Sequence, residues 1–337
     1  MEKVRVGVIG LGHLGSLHAK MFGEIPEAKL AAVYDTDAAK LKEIASRENA
    51  APCATLDDLL KSVEAVSIAT PTSAHYAVAA EALKRGLHVF IEKPITTTTD
   101  EARTLIDAAR AKNLVIQVGH IERFNPALLA LEKYHLRPMF IESHRLAQFN
   151  PRGTDVAVVL DLMIHDIDLV RTFVGGGVAD VSAVGVPVLT PFPDIANARI
   201  TFETGAVANI TASRVSRDRM RKLRIFQQSG YLSLDLAAGT GEFYRLRRDV
   251  DLVALVRDAQ GAQALESFVE RVALTAPEGE PLRLELENFL EAIRGRAEIA
   301  VSGDDGREAL AVALTIVKEI ERTLPALARG MPALSRA

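Results

Sequence analysis

The hexapeptide Gly10-Leu11-Gly12-His13-Leu14-Gly15 restricts the fold more than any other stretch of the chain. The spacing G-x-G-x-x-G is weak evidence alone, because glycine is common. Its setting gives it meaning. The apolar run at residues 4–9 reads as a strand, and Leu14, Leu17, His18, Met21 and Phe22 then recur at helical spacing. A strand that turns through glycines into a helix opens a βαβ unit, and with it a parallel sheet. Gly10 permits the tight turn, Gly12 lets a diphosphate approach the backbone, and Gly15 allows close packing of helix on strand. His13 and Leu14 begin the helix, whose free N–H groups and positive dipole end face that diphosphate.

The same alternation continues downstream. Strands are expected at residues 30–34, 63–69, 88–91 and 114–118, and helices at 37–48, 74–84 and from the capping box Thr98–Glu101 to about 112. This pattern predicts a doubly wound α/β Rossmann domain over residues 1–120. From residue 121 the grammar changes. A helix at 126–134, a strand at 140–149 and a long helix at 155–174 precede strands at 178–188, 196–203, 206–214, 223–228 and 231–236. Thr204-Gly205 and Ser229-Gly230 suit hairpin turns. Residues 121–337 therefore read as an α+β domain with a large, mainly antiparallel sheet. Closing helices at 282–293 and 307–324 are free to pack back on the first domain.

The strand ends carry the chemistry, because open α/β sheets bind ligands at the carboxyl edge. Asp35 ends the second strand 20 residues after Gly15, where a carboxylate accepts from ribose hydroxyls and repels a 2′-phosphate. NAD is therefore expected rather than NADP. Thr70, Pro71 and Thr72 leave the next strand at the same edge, with His75 following, and are expected to line the cofactor channel. For His75 a second reading stays open, a ring packed under the loop. Glu92-Lys93-Pro94 ends a further strand, so Glu92 and Lys93 join the cofactor set and Lys93 offers a cation near a developing alkoxide.

Asp161 and His165 lie four apart on the long helix and so share a face, among Leu160, Met163, Ile164, Ile167 and Leu169. Burying such a pair costs desolvation unless it is paired or useful. A carboxylate that orients an imidazole makes a general base, which oxidation of an alcohol requires. The alternative is a structural i,i+4 hydrogen bond. No third ligand accompanies the pair, so no metal is expected.

Composition excludes other classes. A net charge of −4 gives no electrostatic reason for nucleic-acid binding, and no apolar run approaches membrane-spanning length. The chain starts directly with a strand and contains a single cysteine, Cys53, which points to a soluble cytoplasmic protein without disulfides.

The glycine fingerprint, Glu-Lys-Pro after a strand and Asp-x-x-x-His on a later helix, in that order, resemble the Gfo/Idh/MocA oxidoreductases. The resemblance covers nearly the whole chain. It implies a catalytic Lys93, an Asp161/His165 pair with His165 as acid/base, and homodimers or homotetramers built through the C-terminal sheet. The segment Gly119-His120-Ile121-Glu122-Arg123-Phe124-Asn125-Pro126, together with residues 161–169, looks like the subgroup that oxidises the 3-hydroxyl of UDP-N-acetylglucosamine or its uronate. A nucleotide sugar carries a diphosphate that arginine forks suit, and Arg123, Arg145 and Arg152 are candidates by position. The basic stretch from Arg214 to Arg224 either binds an anion or is a solvated face. Asn125 either hydrogen-bonds sugar or nicotinamide or caps the helix before Pro126. The expected function is NAD-dependent oxidation of a sugar hydroxyl, with a UDP-N-acetylhexosamine favoured. A free sugar, inositol or other polyol is the alternative substrate. A nucleotide-binding regulatory protein that has lost catalysis is the alternative class.

Overall fold

A computed structural model describes residues 2–151, 153, 156–247, 268–275 and 279–329. The N-terminal part alternates strictly: β1 (Val4–Ile9), α1 (His13–Glu24), β2 (Ala28–Tyr34), α2 (Ala38–Arg47), β3 (Ala51–Pro52), α3 (Leu56–Ser62), β4 (Ala65–Ile68), α4 (Thr72–Lys84), β5 (His88–Glu92), α5 (Thr99–Ala111) and β6 (Ile116–Gly119). All six strands are parallel, in the order β3-β2-β1-β4-β5-β6. The order reverses between β1 and β4, where doubly wound sheets open their ligand crevice. Every residue of β4 and β6 is buried, as a sheet covered on both faces requires. Local chemistry starts the helices. Asp37 accepts from the Ala39 and Lys40 N–H groups, Thr55 caps α3, and Thr98 and Glu101 form a reciprocal capping box.

The second part comprises α6 (Pro126–Leu129), β7 (Phe140–Leu146), a π-helical turn (Val159–Met163), α7 (Ile164–Val174), β8 (Val178–Val186), β9 (Ile195–Phe202), β10 (Val207–Ser213), β11 (Met220–Gln227), β12 (Gly230–Asp235), β13 (Thr240–Leu246) and β14 (Val269–Leu274). Its eight strands are ordered β14-β13-β12-β11-β7-β10-β9-β8, antiparallel except for the parallel pair β7 and β10. The chain closes with α8 (Pro281–Ile293) and α9 (Gly303–Arg329). The fold is thus mixed α/β, a Rossmann sheet followed by a mainly antiparallel one.

Two of the expected helices take a different form. The one expected from residue 155 is a π turn at Val159–Met163 that leads into α7. At the start of the turn, Val158 N–H donates to Pro193 O at 2.9 Å. Arg152 and Asp155 lie outside the described residues. The helix expected at 126–134 is only the short α6. Beyond it the N–H groups of Leu131, Glu132 and Tyr134 reach back three residues instead of four, which tightens the chain into turns.

Two compact units result. One holds Met1–Phe124 and Gly279–Ala311, the other Asn125–Glu278 and Val312–Ala337. Within the first unit α8 seals the core: Leu286, Phe289 and Leu290 are buried with Val6, Val8, Phe22 and Phe90. Phe289 meets Phe90 edge to face at 5.8 Å.

Candidate active site

In the first unit the ends of β1, β2, β4 and β5 carry the expected cofactor residues. Gly10 has φ of 84°, and a Cβ there would fall 2.8 Å from Ala69 O and Thr70 N. A Cβ on Gly15 would fall 1.8 Å from Gly10 O, whereas one on Gly12 meets nothing within 4 Å. Glycine is thus required at the first and third positions, and the second faces open space where a ligand can approach. α1, opened by His13 and Leu14, has no side-chain cap and no acidic residue in its first turn. That leaves its N–H groups and dipole for a diphosphate. Asp35 follows β2; its Oδ2 accepts from Leu11 N–H at 2.5 Å and its Oδ1 from Asp37 N–H at 2.8 Å. These ties hold a carboxylate against the glycine loop, as a ribose partner needs. The residues present fit NAD.

Thr70, Pro71 and Thr72 join β4 to α4 at the same edge. His75 requires a correction. Its ring is 1 % exposed, with Nδ1 2.9 Å from Pro94 O and Nε2 2.9 Å from Thr70 O. It ties two strand ends together from inside and does not line the channel. Burial pushes its pKa down, against the opposing pull of the two carbonyls and Glu92. Glu92 is also buried, and its carboxylate accepts from Lys93 N–H at 3.3 Å. Lys93 itself is half-buried at the end of β5.

In the second unit, Asp161 lies in the π turn and His165 in the first turn of α7, both half-buried. π turns recur at functional sites. Asp161 packs against Gly153, where a Cβ would come within 2.9 Å of its Oδ2. Arg145 is corrected as a substrate residue: it is 4 % exposed, and its Nε donates to Asp166 Oδ2 at 2.6 Å. Ser143 donates to the other oxygen of Asp166 at 2.8 Å, so the group fixes β7 to α7 beside His165. Asn125 resolves to the cap: its Oδ1 accepts from Ala127 N–H at 3.1 Å and its Nδ2 donates to Leu236 O at 2.8 Å. In the first unit, Arg123 donates to Ala300 O at 3.3 Å and lies 3.7 Å from Asp305.

The basic stretch also divides. Arg214 is buried against Asp194, while Lys222 pairs with Asp235 and Arg224 with Glu142. Sequence reasoning missed His18, which lies 2.7 Å from Ser67 Oγ and 3.1 Å from Glu92 Oε1. The available signal was a histidine on the apolar stripe of α1.

Residues 4–120 match the oxidoreductase family Gfo/Idh/MocA with its NAD-binding Rossmann fold, and residues 135–233 match the C-terminal domain of that family. The chain is 41 % identical over 326 residues to the UDP-N-acetylglucosamine 3-dehydrogenase of Acidithiobacillus ferrooxidans, covering 96 % of this chain and 99 % of that protein. The solved structure of that dehydrogenase superposes with a TM-score of 0.86 at 39 % identity, over 96 % of this chain and 100 % of that one. The NAD-dependent scyllo-inositol 2-dehydrogenase of Bacillus subtilis is 30 % identical over 237 residues, 64 % of this chain and 68 % of that protein. Among the described residues, no helix is long and apolar enough to cross a membrane. By sequence and by fold alike, the chain belongs to the Gfo/Idh/MocA family of NAD-binding oxidoreductases.

Proposed function

We propose that this enzyme oxidises the 3-hydroxyl of UDP-N-acetylglucosamine, or a close UDP-N-acetylhexosamine, to the 3-ketone. The observation that carries this reading is the 41 % identity to a UDP-N-acetylglucosamine 3-dehydrogenase across almost the full length of both chains. Bound NAD supplies a hydride acceptor. Gly10, Gly12 and Gly15 with the start of α1 hold its diphosphate, and Asp35 its ribose. His165 takes the hydroxyl proton, oriented by Asp161, and Lys93 steadies the negative charge that develops on the substrate oxygen. The 30 % identity to an inositol dehydrogenase favours a polyol as the second reading. We assign assembly as a homodimer or homotetramer to the C-terminal sheet, supported by a row of ring contacts along Phe140, Phe226, Tyr231 and Tyr244. A cytoplasmic location belongs to the same reading, supported by the free Cys53.

His165→Asn tests the base. Turnover is expected to fall by about 10²–10⁴-fold, the usual contribution of a positioned base. An imidazole base works only when neutral, so the wild-type rate declines toward acid pH and the variant loses that decline. An unaltered pH profile in the variant contradicts the assignment.

A further inference from the structure

His18 is a buried titratable group with no part in the roles above. It is 0 % exposed on the inner face of α1, and its ring meets Phe90 edge to face at 5.3 Å. Its Nδ1 stands 2.7 Å from Ser67 Oγ on β4, and its Nε2 3.1 Å from Glu92 Oε1 on β5, off the line of an ideal hydrogen bond. Glu92 directly precedes Lys93 and accepts its N–H. On the other side, a Cβ at Gly119 of β6 would come within 3.0 Å of the carboxylate carbon and both oxygens, so glycine is what leaves room for the group.

A buried carboxylate without partners takes up a proton. Burial pushes Glu92 upward, but His18, Lys93 and His75 together outweigh it and hold the carboxyl below its ordinary value. Those groups come from α1, from the end of β5 itself and from α4. Ser67 can complete the arrangement by donating its hydroxyl proton to Nδ1, which leaves the imidazole proton on Nε2, facing Glu92.

We propose that His18, with its tautomer set by Ser67, is a positioning residue that keeps Glu92 ionised so that Glu92 anchors Lys93 at the end of β5. This rests on the reading of Lys93 as a catalytic residue.

A stability cycle and a pH profile test it in the full chain. In the wild type, Glu92→Gln is expected to lower Tm. In a His18→Leu background the same change is expected to raise Tm, because it removes a buried carboxylate that has lost its imidazole partner. With NAD and UDP-N-acetylglucosamine as probes, His18→Leu is expected to lower kcat by about tenfold or more and to move the acid limb of the rate upward by about one pH unit, or to steepen it. Ser67→Ala is a milder change, expected to shift the limb in the same direction by less, and it serves if His18→Leu does not fold. His18→Gln, which keeps an N–H donor, is expected to restore most of the rate. An equal Tm effect of Glu92→Gln in both backgrounds overturns the proposal. So does an acid limb of wild-type position and slope in His18→Leu and Ser67→Ala, even with reduced kcat, since a packing defect slows turnover without changing protonation. Full turnover by Lys93→Ala is a separate failure, that of the functional reading, and leaves the Tm cycle as the measure of the His18–Glu92 link.

Discussion

Lys93→Ala is expected to lower kcat by about 10²–10³-fold, the effect of removing a group aimed at developing negative charge. NAD binding is expected to persist, because the proposed diphosphate and ribose contacts, the glycine loop and Asp35, lie on β1, α1 and the end of β2 rather than on β5. Isothermal titration with NAD and steady-state kinetics separate the two effects. Lys93→Arg keeps the charge but replaces a compact ammonium with a planar fork on a different stem. It is expected to recover only part of the rate. A Lys93→Ala protein with undiminished kcat removes Lys93 from the mechanism.

The second large effect concerns stability. Asp194 and Arg214 are both buried, with Arg214 Nε 2.8 Å from Asp194 Oδ1. Asp194 Oδ2 accepts from the N–H groups of Val188, Leu189 and Thr190 at 2.8, 2.6 and 2.9 Å. Arg214 also donates to Gly153 O at 2.7 Å and Val156 O at 2.8 Å, the segment that leads to Asp161. Arg214→Met leaves the carboxylate buried without its cation, and a loss of about 3–5 kcal/mol is expected. Urea unfolding measures it, and a change within about 0.5 kcal/mol would place the pair among ordinary surface contacts. Burial pushes the Asp194 carboxyl up, but the Thr190 N–H, the Arg214 guanidinium and the N–H groups of Leu189 and Val188 prevail and hold it well below the usual carboxylate range. A depressed folded-state pKa stabilises the fold fully above the unfolded value of about 4, and that stabilisation is lost as pH falls toward the folded value. The gap between wild type and Asp194→Asn is therefore expected to narrow below about pH 4.

Much of the first unit was legible because its signals are local. A strand, a glycine turn and a helix lie within residues 4–24, and Asp35 and Lys93 sit at strand ends that apolar runs already mark. β3 and α3 were missed because they are short, although Thr55 before Leu56-Asp57-Asp58 is a capping signal. In β13 and β14 charged residues such as Glu242, Arg245, Glu270 and Arg271 interrupt the apolar ones, which hides the strands from a search for apolar runs. Three of the candidate side chains are engaged by the fold itself. Arg145, Asn125 and His75 are polar side chains near the right segments, but each is bound to a partner far away in sequence or hidden beneath a loop. Spacing along the chain identifies which residues are available for chemistry, whereas burial and long-range pairing decide which are consumed by the fold.

NADH formation from the purified chain with UDP-N-acetylglucosamine, myo-inositol and free glucosamine derivatives, each with NAD or NADP, measures the substrate and cofactor preference. UDP-N-acetylglucosamine with NAD is expected to have the highest kcat/KM by about tenfold or more, a difference of about 1.4 kcal/mol in transition-state binding, with a ketone at the sugar C3. A higher kcat/KM for inositol or a free sugar, or a preference for NADP, would contradict it.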